Sequence, residues 1–171
     1  QELGGNAPFI VFDDADLDAA VVGLMASKFR NAGQTCVCTN RVLVQEGVYD
    51  AFVEKLTAAV STLKTGDGFE EGVTIGPLIN DKAVQKVESL IEEAVNSGAS
   101  ITQENEVSQN LPNLFPPTIL TNVTPSMRIA QEEIFGPIVT VFPFSEEKEA
   151  IEMANDTPFG LAAYFYSRDI G

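Results

Sequence analysis

The sequence predicts an α/β fold with a largely parallel open sheet flanked by helices. Apolar runs typical of strands alternate along the chain with segments of helical periodicity. Residues 7–12 and 137–144 are apolar almost throughout, which is typical of strands buried on both faces of a parallel sheet. The length of 171 residues and the hydrophobic fraction of 44% are sufficient for one domain, or one domain with a subdomain, around a sizeable core.

The first strand is predicted over residues 7–12, where an apolar run ends at two aspartates. Asp14 and Asp16 are candidate caps for a helix predicted over residues 17–31, whose apolar residues recur at helical spacing. Gly33 then marks the helix end, because glycine is common just beyond a helix.

Residues 41–45 form the second predicted strand, and residues 49–63 form a second amphipathic helix. The glycine-rich residues 65–77 predict a loop. Asn80 then caps a third helix, which Gly98 ends.

The last third of the chain begins with a polar stretch, residues 102–110, followed by an extended segment over residues 115–123. Residues 137–144 predict a buried strand, after which Ser145 caps a short helix with an acidic first turn. Residues 162–166 predict the final strand, so strand and helix signals alternate to the end of the chain.

The composition excludes several kinds of active site. The sequence has no histidine and two cysteines, so this chain alone cannot build a Ser-His-Asp triad or a Cys-His pair. A structural zinc site needs about four Cys or His ligands, and we expect no metal. The net charge of −15 repels nucleic-acid phosphates and anionic lipid, so we expect neither as a partner.

The sequence also indicates where in the cell the protein is expected. No apolar run approaches the roughly 20 residues that a membrane helix needs, and the first residues lack the basic and apolar regions of a signal peptide. Two cysteines one residue apart are not a secreted disulfide framework, so we expect a cytoplasmic protein.

Cys36 is the candidate nucleophile, since it lies beside Gly33 on the predicted turn between the first helix and the second strand. A free thiol is only about 3% thiolate at pH 7, so this role requires activation by dipoles, a cofactor or another group. The competing interpretation is a small buried apolar residue. Cys38 forms a C-x-C pair with Cys36, which is either a reducible redox pair or two core residues.

Carboxylates and one arginine complete the set of candidates. Glu2 precedes a pair of glycines and can act as a general base or be a solvated charge. Arg30, placed on the last turn of the first predicted helix, can bind a carboxylate or satisfy the helix end. Glu132 and Glu133 precede an aromatic residue and a Gly-Pro turn, where a carboxylate can accept hydrogen bonds from sugar hydroxyls or be a helix-end charge. The chain contains neither a P-loop nor a Gly-x-Gly-x-x-Gly motif.

Five motifs together resemble the aldehyde dehydrogenase superfamily in type, order and spacing. They are ELGGN (residues 2–6), FRNAGQTC (29–36), IGPLI (75–79), EEIFGP (132–137) and NDTPFGL (155–161). The resemblance covers the whole chain, and the residues around Cys36 are most similar to succinate-semialdehyde dehydrogenases. Glutarate-semialdehyde and other ω-carboxy-aldehyde dehydrogenases are the close alternatives.

The resemblance implies a role for each candidate. Cys36 matches the nucleophile that forms a thiohemiacetal and then a thioester, and Glu2 matches the general base that activates the hydrolytic water. Arg30 matches the arginine that binds the distal carboxylate of the substrate. Cys36 and Cys38 match the pair that forms a redox-sensitive disulfide in some members.

The resemblance also implies NAD or NADP as cofactor, with NADP favoured. Glu133 matches the residue that binds the nicotinamide ribose, Phe135 the aromatic beside that ribose, and Leu3 a backbone contact to the nicotinamide.

Residues 1–171 are expected to form most of the catalytic domain, without the N-terminal cofactor-binding domain and the C-terminal oligomerisation stretch. The chain alone is therefore expected to be inactive. The whole enzyme is expected to be a homo-oligomer, a dimer or tetramer, that acts on a small aldehyde. Two other classes stay open: a non-catalytic relative with a scaffold or binding role, and a dithiol redox protein.

Overall fold

The computed structural model describes residues 4–107 and 111–169. Glu2 and Leu3, assigned above to catalysis and cofactor binding, lie outside these ranges. The strands are β1 (Ala7–Val11), β2 (Thr39–Gln45), β3 (Ser100–Glu104), β4 (Thr118–Thr121), β5 (Ile138–Phe144) and β6 (Tyr164–Tyr166). The helices are α1 (Leu17–Lys28), α2 (Tyr49–Val60), α3 (Asp81–Asn96), α4 (Arg128–Gln131) and α5 (Glu147–Asn155).

The strands form one sheet in the order β3-β4-β5-β2-β1-β6. Every neighbouring pair is parallel except β3 and β4, which are antiparallel at one edge. The predicted α/β class with a largely parallel sheet is therefore confirmed.

Helices cover both faces of this sheet. On one face Phe9 of β1 stacks on Tyr166 of β6, and the Tyr166 hydroxyl lies against Gly23 of α1. On the opposite face the buried Arg41 of β2 donates to the carbonyl of Met153 in α5. The central strands are consequently buried on both sides, which explains why burial hardly alternates along β2 and β5, even though the first three residues of β2 are polar.

The first helix is shorter than predicted. It ends at Lys28 rather than at residue 31, because Asn31 and Ala32 adopt left-handed backbone conformations with φ of 50° and 56°. Asp16 is the residue that caps it, since its Oδ1 accepts a hydrogen bond from the Ala19 N–H at 3.1 Å.

Two elements and one cap differ from the prediction. Strand β3 begins in polar sequence and lies at the exposed sheet edge, where an apolar pattern is not required. Helix α4 has four residues, too few for periodicity to reveal. The assignment of Ser145 as the cap of α5 is wrong: Glu146 occupies that position, and the Ser145 N–H donates to the carboxylate of Glu149 at 2.8 Å.

Candidate active site

The candidate residues Cys36, Cys38, Glu133 and Phe135 lie at the amino ends of neighbouring parallel strands. The segments that lead into β1, β2 and β5 carry residues 4–6, 34–38 and 132–137 respectively. Ligand sites in open α/β sheets usually lie at the carboxyl ends of the strands, so this general rule does not predict a site here. The segments converge because β5, β2 and β1 are neighbours in the sheet.

Cys36 lies in a tight turn that directly precedes β2. The turn closes with a hydrogen bond from the Cys38 N–H to the Thr35 carbonyl at 3.1 Å. The Cys36 residue is partly exposed, and its own N–H donates to no acceptor among the described residues. The turn therefore presents a thiol and a backbone donor together, as a nucleophile with an oxyanion-stabilising group requires.

Gly5 holds the opposite side of this turn. A β-carbon at residue 5 would lie 2.1 Å from the carbonyl oxygen of Cys36, which is well inside contact distance. Only glycine allows the segment before β1 to approach the nucleophile turn so closely. Tyr164 of β6 supports the turn from another side, where its hydroxyl donates to the Val37 carbonyl at 2.8 Å.

Gln34 ties the turn to the IGPLI segment, residues 75–79. Its Oε1 accepts from the Ile79 N–H at 2.9 Å, and its Nε2 donates to the carbonyls of Asn31 and Pro77 at 3.1 and 3.3 Å. One side chain thus joins two motifs that are distant in the chain, since Gln34 and Pro77 are 43 positions apart.

Cys38 is buried, and its thiol faces the protein interior. The Cys38 Sγ lies 2.9 Å from the Thr35 hydroxyl and 3.7 Å from the Arg30 carbonyl oxygen. Both cysteines are reduced in the structure, so the disulfide between Cys36 and Cys38 stays a prediction.

Glu133 is half-buried beside the same glycine that contacts Cys36. Its Oε1 accepts a hydrogen bond from the Gly5 N–H at 2.9 Å, and its backbone carbonyl accepts from Lys86 Nζ at 2.6 Å. Glu133, Lys86 and Phe135 line a cavity of about 260 Å³. Phe135 has a left-handed backbone with φ of 58°, an arrangement that costs energy in a residue with a β-carbon.

Arg30 lies beyond the end of α1 and not on its last turn. The residue is exposed, and its guanidinium makes no ion pair with the described residues. Arg30 also influences Tyr164, whose pKa is raised by burial and by the nearby thiols of Cys38 and Cys36, with the arginine opposing the rise. Arg30 is thus an exposed arginine near the Cys36 turn, and its role as substrate anchor stays a prediction.

Sequence reasoning missed Lys28, the most unusual charged residue near the site. Lys28 is 1% exposed, and burial lowers its pKa to about 8 against the opposing influence of Cys38 and Glu133. Its position four residues after Leu24 on the apolar face of α1 was the available signal. A lysine at this position must either be buried with the apolar residues of α1 or interrupt the apolar face of the helix.

Two other structural findings concern metals and membranes. Within residues 4–107 and 111–169, no group of three or more Cys, Asp or Glu side chains is arranged to hold a metal ion. Of the described helices, none has the length and apolarity needed to cross a bilayer.

Comparison with known proteins decides the family. The sequence profile of the Aldehyde dehydrogenase family matches residues 1–171. The chain belongs to the aldehyde dehydrogenase family. The predicted membership is thereby confirmed.

Named relatives include aldehyde dehydrogenases with different substrates. The chain is 59% identical over 169 residues to succinate-semialdehyde dehydrogenase (NADP(+)) GabD of Escherichia coli strain K12. It is also 59% identical over 169 residues to glutarate-semialdehyde dehydrogenase of Pseudomonas putida strain KT2440. Each alignment covers 99% of this chain and 35% of the relative.

The crystal structure of succinate-semialdehyde dehydrogenase from Burkholderia pseudomallei superposes with a TM-score of 0.96 at 62% identity. The superposition covers 99% of this chain and 35% of that one. The chain thus spans about 35% of the length of these aldehyde dehydrogenases.

Proposed function

We propose that the protein oxidises an ω-carboxy-aldehyde to its carboxylic acid with NAD(P)⁺, and that succinate semialdehyde is its substrate. One observation carries the proposal: Gly5 contacts the backbone of Cys36 and also donates to Glu133 at 2.9 Å. The partly exposed Cys36 and a carboxylate suited to sugar hydroxyls are therefore both held against the same residue, Gly5, as a dehydrogenase with a cysteine nucleophile requires.

Cys36 performs the first step. The thiolate sulfur forms a bond to the carbonyl carbon of the aldehyde, and the carbonyl oxygen gains the negative charge. The Cys36 N–H, which has no described acceptor, donates to this oxygen. One such donor is worth about 3 kcal/mol in the transition state.

Glu2 performs the last step, on the strength of the family resemblance. As general base it removes a proton from water, and the resulting nucleophile attacks the acyl carbon bonded to Cys36. The C–S bond then breaks, which releases the carboxylic acid and restores the thiol. Gly5, three residues after Glu2 in the sequence, contacts Cys36, and this contact supports the assignment.

The residues around Glu133 fit the cofactor. A half-buried carboxylate, an ammonium group and an aromatic ring line one cavity, and these groups suit the hydroxyls and the apolar face of a ribose. Glu133 and Phe135 hold the nicotinamide ribose, with Leu3 as a backbone contact. When bound, NAD(P)⁺ supplies the acceptor for the hydride that the aldehyde carbon loses. The Escherichia coli relative is named for NADP(+), which favours NADP.

Arg30 anchors the far end of the substrate. Its exposed guanidinium can bind a carboxylate through two parallel hydrogen bonds. Glutarate semialdehyde, one methylene longer, is the second candidate, since the relative named for it has the same 59% identity. We further propose that the whole protein is a homo-oligomer, as the family resemblance implies.

The test is turnover by the complete gene product with succinate semialdehyde, glutarate semialdehyde and acetaldehyde, each with NADP⁺ and with NAD⁺. We expect the highest kcat/KM for succinate semialdehyde with NADP⁺. Cys36→Ser should abolish turnover, and Cys38→Ser, which changes the neighbouring buried thiol, should retain most of it. Full activity in Cys36→Ser would contradict the mechanism, and no turnover of any of these aldehydes would favour a scaffold or binding role.

A further inference from the structure

Two buried asparagines lie beside the candidate active site and take no part in the proposed chemistry. Asn40 is the second residue of β2, four residues after Cys36, and Asn6 immediately precedes β1. Asn40 is 4% exposed and Asn6 is 2% exposed. Because an unsatisfied buried amide is costly, the hydrogen bonds of these amides show which segments they hold.

The Asn40 amide brackets Glu133 on both sides. Its Oδ1 accepts from the Ile134 N–H at 3.0 Å, and its Nδ2 donates to the Glu132 carbonyl at 2.8 Å. These two residues are the immediate neighbours of Glu133 in the chain. A single planar group thus fixes the backbone just before and just after the carboxylate.

Asn6 sets the orientation of that planar group. The Asn40 Nδ2 also donates to the Asn6 Oδ1 at 2.6 Å, and the Asn6 Nδ2 donates to the Ala130 carbonyl at 3.1 Å. The Asn40 backbone carbonyl accepts from the Thr140 hydroxyl at 2.7 Å. Rotation of the Asn40 amide would therefore break its bonds to Ile134, to Glu132 and to Asn6.

We propose that Asn40 is a positioning residue for the cofactor, which acts by holding the Glu133 carboxylate in place. This inference rests on the proposed function, in which Glu133 binds the nicotinamide ribose. The bracket joins the strand that follows Cys36 to the segment of Glu133, and Gly5 joins the two from the other side. Asn40 thereby keeps the ribose-binding carboxylate in register with the nucleophile.

The test is a double-mutant cycle on the complete gene product, with dissociation constants for NADP⁺ and NAD⁺ measured by calorimetry. Asn40→Asp keeps an acceptor for the Ile134 N–H and loses the two donated bonds. We expect it to raise the dissociation constant about tenfold, the effect of roughly one net hydrogen bond. In a Glu133→Ala background the same change should alter binding less than about twofold, because the group that Asn40 positions is gone.

Asn105→Asp is the matched control. Like Asn40, Asn105 donates two hydrogen bonds from its Nδ2, in this case to the backbone carbonyls of Val60 and Leu63 at 2.8 and 3.0 Å, away from the site. The Asn105→Asp substitution should leave the dissociation constants for NADP⁺ and NAD⁺ unchanged. If Asn40→Asp does not fold, the uncharged Asn40→Ser replaces it in the same cycle.

Two outcomes would overturn the inference in distinguishable ways. In the first, the wild-type protein turns over aldehyde and binds cofactor, but the Asn40 variants have the same dissociation constants as Asn105→Asp, or change them equally with and without Glu133. This result would refute the positioning role alone. Wild-type protein that binds neither NADP⁺ nor NAD⁺ would refute the proposed function, and the positioning role with it.

Discussion

Gly5 lies so close to Cys36 that a β-carbon on residue 5 would come within 2.1 Å of the Cys36 carbonyl oxygen and 3.2 Å of its carbonyl carbon. Both contacts are to backbone, which cannot rotate away as a side chain can. The position of the candidate nucleophile is therefore coupled to the absence of a side chain in the segment before β1.

Gly5→Ala should consequently displace the Cys36 turn. We expect kcat/KM to fall about 100-fold, because a small displacement of a reacting group has an effect of this size. The free energy of unfolding should fall by about 1–3 kcal/mol, as it does when a tight site is overpacked. Steady-state kinetics and urea denaturation of the complete gene product measure the two effects. Gly68→Ala is the control, since nothing lies within 4 Å of a β-carbon there; equal behaviour of the two variants would refute the coupling.

Lys28 should make stability rise with pH. Burial lowers its pKa from 10.5 to about 8, so below pH 8 both the folded and the unfolded protein carry the charge and the folded state bears the full desolvation cost. Between pH 8 and 10.5 the folded state loses the proton first, and stability increases. The lowering of the Lys28 pKa to about 8 corresponds to a gain in folding stability of about 3 kcal/mol across this pH range.

Lys28→Met should therefore be more stable than wild type at pH 7, by up to about 3 kcal/mol, and this advantage should shrink by pH 10. Urea denaturation at both pH values measures the difference. Lys148→Met, at a side chain that is 86% exposed, is the control and should show no such change. The same advantage at both pH values would show that Lys28 does not titrate in this range.

Arg30 should determine the preference for substrates with a distal carboxylate. Arg30→Ala is expected to lower kcat/KM for succinate semialdehyde about 30-fold, the loss of roughly 2 kcal/mol from a hydrogen bond between charged groups. Turnover of acetaldehyde, which has no second carboxylate, should be unaffected. Arg168→Ala removes another exposed arginine as a control. An equal loss on both aldehydes would contradict the anchor role.

Cys36 and Cys38 should form a disulfide under mild hydrogen peroxide, with two thiols oxidised and the peroxide reduced to two water molecules. The Cys38 thiol first has to leave the Thr35 hydroxyl, 2.9 Å away. Thr35→Val should therefore speed disulfide formation. Mass spectrometry of the tryptic peptides detects the loss of two hydrogens, and Cys38→Ser should not show it. Wild-type peptides that remain reduced would refute the redox pair.

Some strands and helices could be predicted because their formation depends on the residues within and next to them. Strand β1 and helix α3 follow from an apolar run and from an apolar stripe that Asn80 caps. The predicted end of α1 was wrong, since Asn31 and Ala32 are left-handed and Asn31 bonds to Gln34 three residues on, which a helical apolar pattern does not reveal. The sequence also indicated Cys36 and Glu133 as candidates, because a thiol can act as a nucleophile and a carboxylate can accept hydrogen bonds from sugar hydroxyls.

By itself, then, the sequence determined the α/β class and the family, and it singled out the candidate residues for reaction with an aldehyde and for binding of a ribose. Only the tertiary structure decided how those residues meet. Gly5, Lys28 and Asn40 have no reactive signature in the sequence. Gly5 bonds to Glu133, 128 positions away, Asn40 bonds to Ile134, 94 positions away, and Lys28 stands out only because the fold buries it. The order of the strands brings such distant segments to one edge of the sheet, and local patterns carry no information about that order.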